Sequence, residues 1–66
     1  MFSYEKYSTL RDEKGVTDYE VSKNTGVPTS TLSNWKMGRY IPKVDKISAI
    51  ATYFNRPIEY FLERKV

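Results

Sequence analysis

Hydrophobic residues recur at helical spacing along the whole chain, and no stretch alternates with the period of a strand. In the first predicted helix, residues 3–14, Tyr4, Tyr7 and Leu10 share one face. Ser3 directly before them is a suitable N-cap, because its hydroxyl can accept a hydrogen bond from a free backbone N–H of the first turn. The pattern therefore predicts an all-helical chain.

A capping box marks the start of a second helix. The Thr17 hydroxyl can accept from a backbone N–H of the first turn, while the Glu20 carboxylate reaches back to the Thr17 N–H. Val21 is the apolar anchor of this helix, and Gly26 supplies the left-handed residue that ends it. A short helix is therefore predicted over residues 17–25.

A third helix with an unusual polar side is predicted over residues 28–37, its cap lying somewhere among residues 27–29. Leu32, Trp35 and Thr31 define the inward side. The outward side carries Ser30, Ser33, Asn34 and Met37, with Thr29 at the N-terminal tip. A helix that only faces solvent more commonly carries Glu, Lys or Gln, which are better helix formers. Short hydroxyl and amide groups allow close approach to another molecule, although an idle polar surface is the alternative.

Two further helices complete the predicted fold. The fourth covers residues 44–54 and has an apolar stripe of Val44, Ile47, Ile50, Ala51 and Phe54. The fifth is short, begins near Pro57 and directs inward Ile58, Phe61 and Leu62. Residues 63–66 are predicted to fray. With no repeat and no linker, residues 1–66 are expected to form a single all-α domain, a compact five-helix bundle.

The composition indicates a small folded protein without disulfide bonds or thiolate metal sites. The chain has 66 residues and no cysteine, so neither a disulfide nor a thiolate metal site can stabilise it. A hydrophobic fraction of 39% is too high for a disordered chain. No apolar run is long enough to cross a bilayer, and the N-terminus lacks the core of a signal peptide. We therefore expect a soluble, cytoplasmic protein with no membrane partner.

Residue types that carry enzyme chemistry are scarce. The chain contains no histidine and no cysteine, and it has neither a glycine-rich phosphate loop nor a carboxylate pair at a convincing spacing. A bundle of this size also leaves little room for a substrate pocket. We therefore expect a binding protein, with no catalytic residue, no metal and no cofactor.

The charges are unevenly distributed along the chain. Residues 1–22 contain more carboxylates than cations, whereas in residues 23–46 five cations face the single carboxylate of Asp45. A basic middle after an acidic start suggests a surface that faces a polyanion. An ordinary solvated face is the alternative reading of the same composition.

The ordered set of these features resembles the Cro/CI-type (XRE) helix-turn-helix proteins, which include phage repressors. The stretch GVPTSTLSNWKMGRYIP is similar to the family's recognition helix and following loop, and LRDEKGVTDYEVS is similar to the end of its first helix and the start of its second. The positions that match are Arg11, Gly15, Thr17, Gly26, Leu32, Trp35, Gly38 and Pro42. The resemblance implies a lambda-repressor-like DNA-binding domain whose third helix enters the major groove.

The resemblance also implies which residues would touch double-stranded DNA. Base edges would be met by Thr29, Ser30, Ser33 and Asn34. These types suit the task, because asparagine can grip adenine with both amide atoms while serine and threonine can donate or accept. Phosphates would be held by Lys36, Arg39, Tyr40 and Lys43.

The resemblance implies a sequence-specific transcriptional regulator, and more specifically a repressor, in a bacterial or phage-infected cell. A domain this small touches few base pairs, so we expect a homodimer on a near-palindromic operator with half-sites roughly 34 Å apart. Family self-contacts would fall at Ile41, Ile58 and Phe61. Phe61 could equally fill the core of one monomer.

Three positions depart from the family pattern. Met37 stands where the family often has a polar residue near the DNA backbone, and it is expected either to pack against a sugar or simply to be exposed. Asp18 stands where the family often has a glutamine that touches phosphate, and a carboxylate would repel that phosphate. Lys36 stands where the family commonly has a glutamate paired with the arginine matching Arg11. Arg11 then needs another carboxylate, such as Glu20 or Glu59, because a partly buried cation without a partner is unfavourable. Lys36 is expected to turn outward to a phosphate.

A helix-turn-helix domain that binds protein, such as an antitoxin or a regulatory adaptor, is the alternative function. Such a domain would show little of the steep salt dependence that accompanies phosphate neutralisation. The short polar residues of the third helix argue against it, since binding hot spots between proteins favour exposed aromatic residues and arginine.

Overall fold

Four α-helices and one short 3-10 helix follow one another along residues 2–62, the part of the chain that the computed structural model describes. The α-helices are α1 (Tyr4–Lys14), α2 (Asp18–Thr25), α3 (Thr29–Lys36) and α4 (Val44–Tyr53), and the 3-10 helix spans Ile58–Phe61. Residues 2–62 contain no β-strand, so the predicted all-helical class is confirmed. None of these helices is long and apolar enough to cross a membrane.

Local capping signals set the helix starts. The Ser3 hydroxyl accepts from the Lys6 N–H at 3.4 Å. In the capping box of α2, the Thr17 hydroxyl accepts from the Glu20 N–H at 3.2 Å and the Glu20 carboxylate accepts from the Thr17 N–H at 3.3 Å. The cap of α3, left open by the sequence, is Pro28, which makes no side-chain capping bond.

The fifth predicted helix is a single 3-10 turn rather than an α-helix. Tyr60 donates its N–H to the Pro57 carbonyl at 3.0 Å, a bond across three residues. The backbone then becomes extended at Leu62, which forms an antiparallel bridge with Phe2. An α-helix cannot continue into that bridge, because the two require different backbone conformations. The predicted frayed tail, residues 63–66, lies outside the described residues.

One hydrophobic core joins all the elements. Its buried side chains are Tyr7, Leu10, Val21, Val27, Leu32, Trp35, Ile47, Ile50, Ala51 and Phe61. The prediction was wrong at Val44, whose surface is 60% exposed, because it lies in the first turn of α4 where residues 43–45 all face solvent. Leu62, predicted to point inward, is also exposed, since it follows the 3-10 turn rather than lying within a helix.

Aromatic packing fixes the orientation of α3. The Trp35 ring stacks on the Tyr7 ring with centroids 5.5 Å apart, and it meets the edge of the Tyr4 ring at 5.5 Å. The Trp35 indole N–H donates to the Phe2 carbonyl at 3.3 Å, so its polar atom is satisfied. With one side of α3 held against α1 and the N-terminal segment, the opposite side must face outward.

Candidate nucleic-acid interface

The outward side of α3 carries only short polar side chains over its first two turns. Leu32 and Trp35 are buried on the other side, as the helical spacing predicted. The exposed positions are Thr29, Ser30 and Ser33, with Asn34 partly exposed beside them. Because none of these side chains is long, the helix backbone itself can come close to a partner.

Asn34 is hydrogen-bonded to two side chains of the loop that follows α3. Its Oδ1 accepts from Arg39 Nη1 at 3.1 Å, and its Nδ2 donates to the Tyr40 hydroxyl at 3.4 Å. One residue expected at a base edge and two expected at phosphates therefore form a single group, the Asn34 cluster of Asn34, Arg39 and Tyr40. Sequence spacing did not reveal this contact.

The backbone at the C-terminus of α3 brings Arg39 back over the helix. The Gly38 N–H donates to the Trp35 carbonyl at 3.1 Å, and the Arg39 N–H donates to the Asn34 carbonyl at 3.0 Å. This pair of bonds is a Schellman motif. Gly38 has the positive φ of 75° that the motif requires. The Arg39 side chain therefore starts beside the last turn of α3.

Tyr40 accepts hydrogen bonds within this cluster. Hydrogen bonding from Thr31, and next from Asn34, lowers the pKa of the Tyr40 phenol below its ordinary value. An oxygen that accepts from α3 can still donate its own O–H to another acceptor. A phosphate oxygen is such an acceptor, so Tyr40 can join α3 to a nucleic-acid backbone.

A cleft of about 470 Å³ opens between Tyr40 and the start of α4. It is lined by Thr31, Tyr40, Ile41, Pro42, Lys43 and Lys46. Lys46 was not among the predicted phosphate contacts. The signal that could have found it is its spacing from Lys43, because residues three apart on a helix are neighbours. The two amines give the cleft a positive charge.

Comparison with known proteins assigns the family. A family model described as helix-turn-helix matches residues 8–61. The chain belongs to the Cro/CI-type helix-turn-helix family. Its fold is similar to the crystal structure of a transcriptional regulator from Listeria innocua, with a TM-score of 0.75 and 26% sequence identity. That match covers 96% of this chain and 61% of the regulator, so the chain spans about three fifths of the other protein's length. No curated protein sequence matches the chain.

In this helix-turn-helix domain the arginine of α1 is hydrogen-bonded to a carboxylate in the first turn of α2. Arg11 Nη1 donates to Asp18 Oδ1 at 3.0 Å, and the Tyr7 hydroxyl donates to the same oxygen at 2.6 Å. Arg11 therefore finds another carboxylate than the two named candidates, Glu20 and Glu59: it pairs with Asp18 and, at 3.3 Å, with the more exposed Asp12. The carboxylate that looked unfavourable for a phosphate is half-buried and turned toward α1.

Lys36 does not take part in the pairing with Arg11 that the resemblance implied for this position. Its side chain is exposed, and it forms no ion pair with any carboxylate of residues 2–62. Lys36 also lines a second cleft, next to Trp35 and Tyr40. The amine is therefore placed on the same side of the domain as the Asn34 cluster.

The three expected dimer residues differ in accessibility. Ile41 is exposed beside Tyr40, whereas Ile58 is partly buried against the core. Phe61 has no exposed surface, because the chain folds back until the Ser3 N–H donates to the Phe61 carbonyl at 2.7 Å. Phe61 therefore fills the core, the alternative that its sequence position left open.

Proposed function

We propose that the protein is a sequence-specific DNA-binding transcriptional regulator that inserts α3 into the major groove. The observation that carries the proposal is the two-sided character of α3. Its apolar side is held by Trp35 against α1, and over its first two turns its exposed side offers only short polar groups. A major groove about 12 Å wide admits a helix of this kind. The Listeria innocua protein that shares the fold is described as a transcriptional regulator.

The base contacts lie on the exposed side of α3. Thr29, Ser30 and Ser33 supply hydroxyls that can donate or accept, and the threonine methyl can touch a thymine methyl. Asn34 faces the same side and carries the loop side chains bonded to it. These residues determine which sequence is preferred.

The phosphate contacts surround that side of α3. Lys36, Lys43 and the Tyr40 hydroxyl are proposed to hold phosphates, and Lys46, which lines the same cleft as Tyr40 and Lys43, is proposed to join them. Their contribution does not depend on base sequence, since every nucleotide carries the same phosphate charge. These groups therefore provide affinity rather than selectivity.

The decisive experiment is selection of bound sequences from a random duplex library by the full chain. Fluorescence anisotropy at several salt concentrations then compares the selected and scrambled duplexes. We expect a clear preference for the selected duplex and a slope of log affinity against log salt of about −0.9 per phosphate neutralised. Equal binding of both duplexes, or no binding at low salt, would reject the proposal.

Two matched variants separate the phosphate contacts from general charge effects. Lys43→Ala should flatten the salt slope by about 0.9, because it removes one phosphate contact. Lys14→Ala is the control, since its amine lies over the Tyr53 ring at 5.2 Å on another part of the domain. Equal changes in both variants would mean that binding reflects net charge and not this surface.

The regulator is further proposed to act as a homodimeric repressor on a near-palindromic operator. One domain contacts few base pairs, and two half-sites roughly 34 Å apart would present the same groove face to each copy. The exposed Ile41 and the partly buried Ile58 are the candidate contacts. Sedimentation of wild type and Ile41→Asp, with duplexes of one or two half-sites, tests the stoichiometry. Repression of a reporter by the selected site tests the sign of regulation.

A protein-binding module is the second candidate, and one observation favours it. Met37, Tyr40, Ile41 and Val44, all exposed, follow one another along the chain from the end of α3 to the first residue of α4. Exposed apolar residues of this kind are common at protein interfaces. A chain that uses them for a protein partner alone would give no salt-dependent DNA binding in the anisotropy experiment.

A further inference from the structure

We propose that Arg39 reads a guanine in the major groove and that Asn34 is the positioning residue that aims it. This inference rests on the proposed function, and it changes the roles that the resemblance implied. There Asn34 would read a base and Arg39 would hold a phosphate. The Asn34 cluster supports the opposite division.

The distance between the two groups places the Arg39 guanidinium beside the Asn34 amide. Arg39 Nη1 lies 3.1 Å from Asn34 Oδ1, so the guanidinium and the amide occupy the same place on the surface of α3. Any groove that brings Asn34 to a base edge brings the guanidinium to that edge as well.

The hydrogen-bonding groups that remain available on the two side chains favour Arg39 as the residue that contacts the base. In Asn34 one of the two acceptor sites on Oδ1 and one of the two N–H groups on Nδ2 are bonded to loop side chains, so the loop orients the amide and half of its hydrogen-bonding capacity is left for a base. Within residues 2–62, the Arg39 guanidinium bonds only Asn34, so its other N–H groups are available. A pair of these N–H groups matches the O6 and N7 acceptors of guanine.

The partner of Arg39 matters as much as the distance. Asn34 is neutral, so it holds the guanidinium in place without cancelling its charge. A carboxylate at the same position would hold it more tightly but would compete with the guanine acceptors. The Schellman motif fixes the start of the Arg39 side chain, and the amide fixes its end. The side chain is therefore arranged before DNA arrives, which lowers the entropy lost on binding.

The test measures binding of the full chain to duplexes that carry each of the four bases at every position of the selected half-site. For Arg39→Ala we expect the preference for guanine at one position to fall roughly 5- to 150-fold, the usual worth of a bidentate arginine contact. Preferences at the other positions should be retained. Arg39→Lys keeps the charge but loses the planar fork, so it should lose the same preference while keeping the salt slope.

Asn34→Ala tests the positioning role. It should weaken the preference for that same guanine, and the double variant Asn34→Ala/Arg39→Ala should be no less selective there than Arg39→Ala alone. If Asn34 reads its own base, Asn34→Ala will relax an adenine position that Arg39→Ala leaves intact. That result overturns the inference.

Other outcomes separate this inference from the proposed function. If wild type binds selectively but Arg39→Ala weakens all duplexes by one factor and flattens the salt slope by about 0.9, Arg39 holds a phosphate and only the inference fails. If wild type shows no selectivity at all, the proposed function fails first. Circular dichroism of each variant verifies that the helices are intact.

Discussion

Arg11 on α1 donates a hydrogen bond to the Asp18 carboxylate at the start of α2, with Nη1 and Oδ1 3.0 Å apart. Tyr7 donates its hydroxyl to the same oxygen at 2.6 Å. The hydrogen bond to Asp18 raises the pKa of Arg11, and burial raises the pKa of Tyr7. Asp18 thus links the end of α1 to the start of the helix-turn-helix. Arg11 therefore does not need a carboxylate at position 36, where this chain has Lys36.

The Asp18 contact makes a stability prediction. Asp18→Asn should lower the free energy of unfolding by about 1–2 kcal/mol, because it removes the charge that two donors share, although partial exposure of the carboxylate weakens the effect. Asp12→Asn is the control, since Asp12 is 70% exposed while bonded to the same guanidinium at 3.3 Å. Urea unfolding measures both, and equal losses would show that the Asp18 position is not special.

Tyr7 makes a prediction for alkaline pH. Burial, followed by the bond to Asp18, raises its pKa far above the ordinary value of 10.0. The folded state therefore keeps a proton that the unfolded chain releases. This stabilisation is complete below about pH 10 and is lost progressively at higher pH, with a limiting slope of about 1.4 kcal/mol per pH unit.

The free energy of unfolding should therefore fall more steeply above about pH 10 in wild type than in Tyr7→Phe. Tyr19→Phe is the control, because Tyr19 is 70% exposed and its replacement should leave the slope unchanged. Urea unfolding at a series of alkaline pH values gives the slopes. Equal slopes for wild type and Tyr7→Phe would contradict the prediction.

Two residues of α4 test the position of the core. Ile47 is fully buried, whereas Val44 one turn earlier is exposed. Ile47→Ala should cost about 2–5 kcal/mol of unfolding free energy, through lost burial and a cavity. Val44→Ala should change it by no more than about 0.5 kcal/mol. Comparable losses would mean that α4 is rotated relative to this structure.

Gly26 tests the turn between α2 and α3. Its φ of 77° lies in the left-handed region, and a Cβ built there meets no atom within 4 Å. The cost of Gly26→Ala is therefore conformational and should be about 1–2 kcal/mol. Gly26→Asn should cost less, because asparagine tolerates this conformation better. Thermal unfolding of the two variants gives the order, and a larger loss for asparagine would contradict it.

Local signals in the chain predicted the helices well. Ser3, the capping box at Thr17 and Glu20, and the glycine at 26 placed α1 and α2 within a residue of their ends. These signals work because a cap satisfies backbone groups of its own turn and needs no distant partner. The 3-10 turn was missed as such because its end is set by pairing between Leu62 and Phe2, far apart in sequence.

The sequence alone determined the all-helical class, the order of the helices and the polar side of α3, since each depends on residues within one or two turns. The tertiary structure alone decided that Asp18 is the partner of Arg11, that Phe61 is buried and that Val44 is not. It also brought Arg39 onto Asn34. These contacts depend on how separate segments pack. The local sequence pattern is equally compatible with several carboxylates as partners of Arg11, and with either a buried or an exposed position for a hydrophobic residue near a helix end.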